Sequence, residues 1–321
     1  MNWLGKLVGA AILAMALATP PALAQTQQAR SDEAYAALNA GDYDKAYSMA
    51  RPLADEGFLE AQTLVGYLFE YGYGIEQSYD QALRWYRKAS DQGSDYADYR
   101  IGVFYDYGTG VAEDDAEAVR WYSAAADKGN LEAQDSLGYM YEFGNGVEQD
   151  YPTALKWYRR AADGGHALAQ SDLGKMYAYG RGIEEDDLEA VRWFRKAAAQ
   201  QNSDGQYNLG LAYENGSGVK QNYDEALRWY RLAAGQGQAA AQNAIGLFYD
   251  YGYGVAEDKA EALKWYLEAA GNGNLEAMNN AGYAYEMGLG VAADYAEAMR
   301  WYRQSAEAGN AWAENAMGVM Y

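Results

Sequence analysis

The 321-residue chain has no cysteine and a single histidine, His166. Without cysteine there is no disulfide, thiol nucleophile, thiolate metal site or acylated lipoprotein anchor, so packing alone must hold the fold. With one histidine, a His-based triad, a His-pair zinc site and an H-E-x-x-H motif are excluded within the chain. Basic charge is scarce as well: 25 Lys and Arg face 46 Asp and Glu, a net of −21. So negative a surface repels nucleic acid and anionic lipid, and it favours partners with basic patches. Apolar runs of membrane-spanning length are missing. The longest, residues 7–18, falls short of the ~20 residues a bilayer-crossing helix needs, so no membrane insertion is expected. Lys6 precedes that run and Ala22-Leu23-Ala24 follows it. Residues 1–24 therefore read as a cleaved signal peptide, and the mature chain as periplasmic or secreted.

What is present is a period. Trp85, Trp121, Trp157, Trp193, Trp229, Trp265 and Trp301 stand 36 residues apart. Seven full units tile residues 58–309, preceded by an extension and divergent capping hairpin over 25–57. Residues 310–321 form an incomplete eighth unit, helix A only. A G-x-G pair recurs in every unit, from Gly72/Gly74 to Gly288/Gly290. A chain needs one phosphate loop, not seven, so the pair reads as the connector of a helix hairpin. Helix A of the first unit carries Ala61, Leu64, Val65, Leu68 and Phe69 at helical spacing. Gly72 follows as its left-handed cap. Helix B opens on Ser78 and its counterparts, with Gln81, or usually Glu, three residues on: a capping box. Ala82, Trp85, Tyr86 and Ala89 form its buried stripe. The column Gly66, Gly102, Gly138, Gly174, Gly210, Gly246, Gly282, Gly318 lies inside helix A. Each copy costs ~1 kcal/mol of helix propensity, so close helix crossing is expected there.

The pattern A-x-x-x-L-G-x-x-Y-x-x-G-x-G-V-x-x-D-y-x-x-A-x-x-W-Y-R-x-A-A-x-x-G, as in residues 131–165, resembles the Sel-one-like repeat (SLR), a relative of the tetratricopeptide repeat. The resemblance covers about residues 31–321. It implies an all-α, right-handed α/α superhelical solenoid of about eight hairpins that binds other proteins, often in exported settings. Cysteine-rich members pin each hairpin with disulfides, and this chain departs from that subgroup.

No catalytic, metal or cofactor site stands out. His166 shares the helix A cap column with Ser94, Asn130, Asn202 and Asn274, so it reads as a cap. One column resists a folding explanation: Glu70, Asp106, Glu142, Glu214, Asp250 and Glu286 stand in the last turn of helix A, where the dipole disfavours negative charge. Pairing with the basic helix B column (Arg84, Arg120, Lys156, Arg192, Arg228, Lys264, Arg300) would be the structural explanation. As a function, the acids would line a concave, tyrosine-rich groove with Tyr67, Tyr99, Tyr139, Tyr207 and Tyr283, because tyrosine suits recognition surfaces. The fourth unit, "LGKMYAYGRG", replaces the acid with Ala178 and adds Lys175 and Arg181, a neutral-to-basic notch. The expected function is an exported interaction scaffold for a protein or peptide. The alternative is a glycan-binding or glycan-processing protein of the cell wall, disfavoured by tyrosines spread along the chain. Trp312, Met317, Met320 and Tyr321 of the last half-unit suggest end-on self-association.

Overall fold

The computed structural model describes residues 21–320, and side chains over 25–318. Among the described residues all regular structure is helical. The signal-peptide reading falls on residues 1–24, of which the first twenty, and the side chains of the rest, lie outside the described residues.

The chain divides into two compact units, residues up to Ser136 with Gly144–Glu148, and Leu137–Phe143 with Gln149 onward. In the first, α1 (Pro21–Asn39) and α2 (Tyr43–Asp55) make the N-terminal hairpin. The hairpins α3 (Leu59–Tyr71) with α4 (Tyr79–Ser90), and α5 (Asp95–Asp106) with α6 (Asp115–Asp127), follow. α7 (Leu131–Phe143) contributes to both units. The second unit continues with α8 (Tyr151–Asp163), α9 (Ala167–Ala178), α10 (Asp187–Ala199), α11 (Ser203–Asn215) and α12 (Tyr223–Ala234). It closes with α13 (Ala239–Tyr251), α14 (Lys259–Gly271), α15 (Leu275–Met287), α16 (Tyr295–Glu307) and α17 (Ala311–Met320). Within each unit consecutive hairpins stack in chain order as a repeat solenoid.

Local chemistry explains the repetition. Helix A ends where Gly72, Gly216, Gly252 and Gly288 adopt left-handed φ of 66–76°. The second glycine of each pair lets the loop rest on the start of the preceding helix B: a Cβ on Gly110 would come within 2.5 Å of Tyr79 Cβ. Helix B starts as expected, with Ser78, Asp114, Asp150, Asp186 and Asn222 accepting from the backbone N–H three residues on. The glutamates at that third position reach forward, however: Glu117 to Arg120 at 2.9 Å, Glu261 to Lys264 at 2.7 Å and Glu297 to Arg300 at 2.8 Å. The basic column is thus engaged on its own helix, in exposed pairs worth little individually.

Stacked hairpins are also joined by buried amides that the period did not flag. Gln62, Gln170 and Gln242 each donate to a carbonyl at the end of the preceding helix B (Ala54, Ala162 and Ala234). Their own side-chain oxygens accept from Gln92, Gln200 and Asn272 at 2.7–2.9 Å. Polar groups this deep remain only because they are paired.

Candidate functional site

Three residues make a recurring lock. A Cβ placed on Gly66, Gly102, Gly138, Gly210, Gly246 or Gly282 would lie 2.5–2.7 Å from the ring of Tyr86, Tyr122, Tyr158, Tyr230, Tyr266 or Tyr302. The expected close crossing is therefore a tyrosine ring lying on bare helix A backbone. One turn on, at the fourth residue after the glycine, the phenol reaches a carboxylate. Tyr86 donates to Glu70 at 2.7 Å, Tyr122 to Asp106 at 2.8 Å and Tyr158 to Glu142 at 2.9 Å. Tyr230 donates to Glu214, Tyr266 to Asp250 at 3.2 Å and Tyr302 to Glu286 at 2.8 Å. The acids are thus anchored by helix B tyrosines rather than by the basic column. Charge alone suggested the wrong partner, because which helix B side chain faces the acid depends on the crossing.

Burial sets the electrostatics. Glu70 and Glu142 are only 5% and 7% exposed. Glu70 is further paired with Arg100, and Glu142 with Arg181. Desolvation raises the Asp106 carboxyl above its usual value, against the Tyr122 hydrogen bond. The phenols of Tyr86, Tyr122, Tyr230, Tyr266 and Tyr302 are pushed upward, first by burial and then by the facing carboxylate. Tyr207 is raised to about 12, mainly by burial. Tyr99 and Tyr207 tilt against Tyr122 and Tyr230 at ring separations of 5.8 and 5.7 Å, so both are half-buried parts of the packing. Of the candidate tyrosines, Tyr139 and Tyr283 are exposed and Tyr67 is half-buried.

The fourth hairpin differs in a coordinated way. Ala178 stands where the acid would be, and Phe194 where the tyrosine would be, its ring still packed on Gly174. Hydroxyl and carboxylate are missing together. The notch is not basic: Lys175 is paired with Asp172 at 2.5 Å, and Arg181 with Glu142. What remains is an open cavity of about 120 Å³, floored by Ala178, Ala190, Val191, Phe194 and Ala212.

The period also hid an exposed column. The column at the end of helix A holds Tyr71 and, just past α5, Tyr107 in the first unit; in the second it holds Phe143, Tyr251 and Met287 as last helical residues and Tyr179 just past α9. Tyr107 is 72% exposed and Tyr251 60%. Exposed and half-buried rings also cluster. Tyr43 stacks on Tyr73 at 4.3 Å, with Tyr71 and Tyr67 alongside; five repeats on, Tyr223 stacks on Tyr253 at 5.2 Å, beside Tyr251.

The family model described as Sel1 repeat matches residues 59–94, 95–130, 131–166, 167–202, 203–238, 239–274 and 275–310. The chain belongs to the Sel1 repeat family. Among solved structures it is similar to a protective antigen of uropathogenic Escherichia coli displaying an SLR fold, at 35% identity and a TM-score of 0.68. That match covers 92% of this chain and 66% of the other, so this chain spans under two thirds of that protein. It is also similar to a Sel1 repeat protein from Oxalobacter formigenes, at 31% identity and a TM-score of 0.70, over 75% of this chain and 96% of that one. An immunity protein from Pseudomonas aeruginosa, at 24% identity and a TM-score of 0.50, covers 66% of this chain and 82% of its own, and shares the fold. No curated protein matched.

Two further expectations meet the Sel1 frame. His166 caps α9, its ring nitrogen accepting from the Ala169 N–H at 3.4 Å. At the other end, Ala316 and Met317 pack against Ala298, Tyr302 and Ala313, while Trp312 is half-exposed and meets Tyr302 edge-on at 5.7 Å. The Met320 side chain and Tyr321 lie outside the described residues. Among the described residues no His, Asp and Glu cluster is arranged to hold a metal ion, and no helix is long and apolar enough to cross a membrane.

Proposed function

We propose that this chain is an exported interaction scaffold, binding a protein or peptide of basic character through the exposed rings at the ends of its A helices. Sel1 repeat proteins are generally protein–protein interaction scaffolds and typically non-enzymatic. The observation that carries the reading is the exposed aromatic column of Tyr71, Tyr107, Phe143, Tyr179 and Tyr251. Each of these rings keeps much of its surface in solvent, and exposed tyrosine is the side chain that recognition surfaces favour. The neighbouring acids contribute the long-range field of a chain of net charge −21 and fix the A helix ends, rather than contacting the partner directly.

The test is capture from periplasmic extract by the purified chain and by a Tyr107→Ala, Tyr179→Ala, Tyr251→Ala variant. The variant should retain its melting temperature and lose the partner roughly tenfold or more, in line with aromatic hot spots. Added salt should weaken capture by the wild type. A variant that captures the same partner undiminished would defeat the reading.

The stacked group Tyr43, Tyr67, Tyr71 and Tyr73 supports a second reading, since such rings can pack on sugar faces. Titration of peptidoglycan fragments against intrinsic fluorescence, with Tyr71→Ala as control, separates the two.

A further inference from the structure

The cavity in the fourth and fifth hairpins lies where the next repeat holds its own rings. Its lining includes Asp187, Phe194, Ala212, Asn215 and Ser217. Moved 36 residues on, the same positions are Tyr223, Tyr230, Phe248, Tyr251 and Tyr253. Those five rings interlock. Tyr223, Tyr230 and Tyr253 each meet Phe248 edge-on at 5.5–5.9 Å, and Tyr251 and Tyr223 stack on Tyr253. Of the five positions in the cavity only Phe194 keeps a ring. Phe248 has become Ala212, Tyr253 has become Ser217, Tyr251 has become Asn215, and the lock acid has become Ala178. Each change removes bulk or charge at one place.

From this absence of filler we infer that the cavity is a specificity pocket for an aromatic side chain, Phe or Tyr, of the partner; the inference rests on the scaffold reading above. The cavity is open, so a ring need enter only in part: an enclosed apolar cavity of about 150 Å³ takes up a whole benzene, and this one offers about 120 Å³. Its chemistry fits too. The floor of Ala178, Ala190, Val191 and Ala212 presents methyl groups, and Phe194 offers a ring for edge-to-face contact. Asn208, Asn215, Ser217 and Tyr179 add amide and hydroxyl groups to the lining, partners for a tyrosine hydroxyl. A carboxylate is disfavoured, since it would meet Asp187 and the nearby cations, Lys175 and Arg181, are already paired; an ammonium would have Asp187 alone to offset its loss of water against the methyl groups.

Ligand-observed NMR with p-cresol as the probe, and n-butylammonium and acetate as controls, reads the pocket directly. Wild-type protein should bind p-cresol with millimolar affinity and neither control. Ala212→Phe with Ser217→Tyr transplants the filler of the next repeat and should lower p-cresol binding at least tenfold without lowering the melting temperature. Ala178→Glu with Phe194→Tyr, which restores the pair found in six other hairpins, closes the floor and should do the same, so the test survives misfolding of either variant. Equal binding of p-cresol and a control, or undiminished p-cresol binding by the folded variants, overturns the pocket. Capture of the periplasmic partner by Ala212→Phe, Ser217→Tyr then separates the two proposals. Full capture by this variant, with capture lost on removing Tyr107, Tyr179 and Tyr251, overturns the pocket's role in binding and leaves the scaffold standing.

Discussion

The hairpin of α5 and α6 and the hairpin of α9 and α10 have the same helix lengths and the same ring-on-glycine crossing, yet hold together by different chemistry at one point. In the first, Tyr122 lies on Gly102 and donates to Asp106. In the second, Phe194 lies on Gly174 and Ala178 leaves no acceptor to satisfy. The ring is common to both, so it is the part the fold requires. Hydroxyl and carboxylate are a matched accessory, present together or absent together. Acids that look like a binding ladder in one dimension are thereby half of a polar contact.

The largest effect should be shared by both hairpins. Tyr122→Ala and Phe194→Ala each remove a buried ring and should cost about 3–5 kcal/mol in urea titrations. A much smaller loss at Phe194 would show that the cavity beside it has already loosened the fourth hairpin. Next comes a difference. Tyr122→Phe strands the Asp106 carboxylate and should cost about 1–3 kcal/mol, whereas Tyr122→Phe with Asp106→Ala imitates the fourth hairpin and should recover most of that. Additive losses in this double-mutant cycle would break the comparison.

Alkali sharpens it further. The lock phenols have raised folded-state pKa values, so the folded chain holds their protons longer than the unfolded chain does. Their contribution is complete below the unfolded phenol value near 10 and is lost as pH rises through the folded values. Stability should therefore fall with alkalinity above about pH 10, and less steeply in the Tyr122→Phe, Asp106→Ala variant. Absorbance at the phenolate band should show a late-titrating class that disappears on unfolding. A flat stability profile over that range would contradict the burial of these hydroxyls. The smallest effect is confined to the turn after α10, where Gln201 occupies a left-handed conformation at φ 62° and the other units use glycine. Gln201→Gly should raise stability by up to about 1 kcal/mol, read from the shift of the urea midpoint.

Much of the fold was legible because a period averages out noise. The capping residues, the Gly72-type helix ends, the glycine column and the His166 cap all follow from single-helix rules that repeat every 36 residues. The site was less legible. Helical spacing relates side chains on one helix, but the partner of Asp106 is 16 residues away on another, where Arg120 and Tyr122 compete and only the crossing decides. Tyr107 and Tyr251 escaped notice because the residue before a cap glycine carries no periodic signature of exposure. The two tyrosine stacks, Tyr43 with Tyr73 and Tyr223 with Tyr253, join a helix start to the loop of the following hairpin, a contact that spans 30 residues.

The lock also has a direction in time. Substituting the tyrosine first leaves a buried carboxylate short of a donor, while substituting the acid first leaves a phenol hydroxyl without an acceptor. An underpaired buried charge is the dearer of the two. A lineage of duplicated hairpins therefore sheds the acid before the hydroxyl, and a repeat caught midway would show alanine opposite tyrosine rather than glutamate opposite phenylalanine. Ala178 with Phe194 is the combination that leaves neither group underpaired.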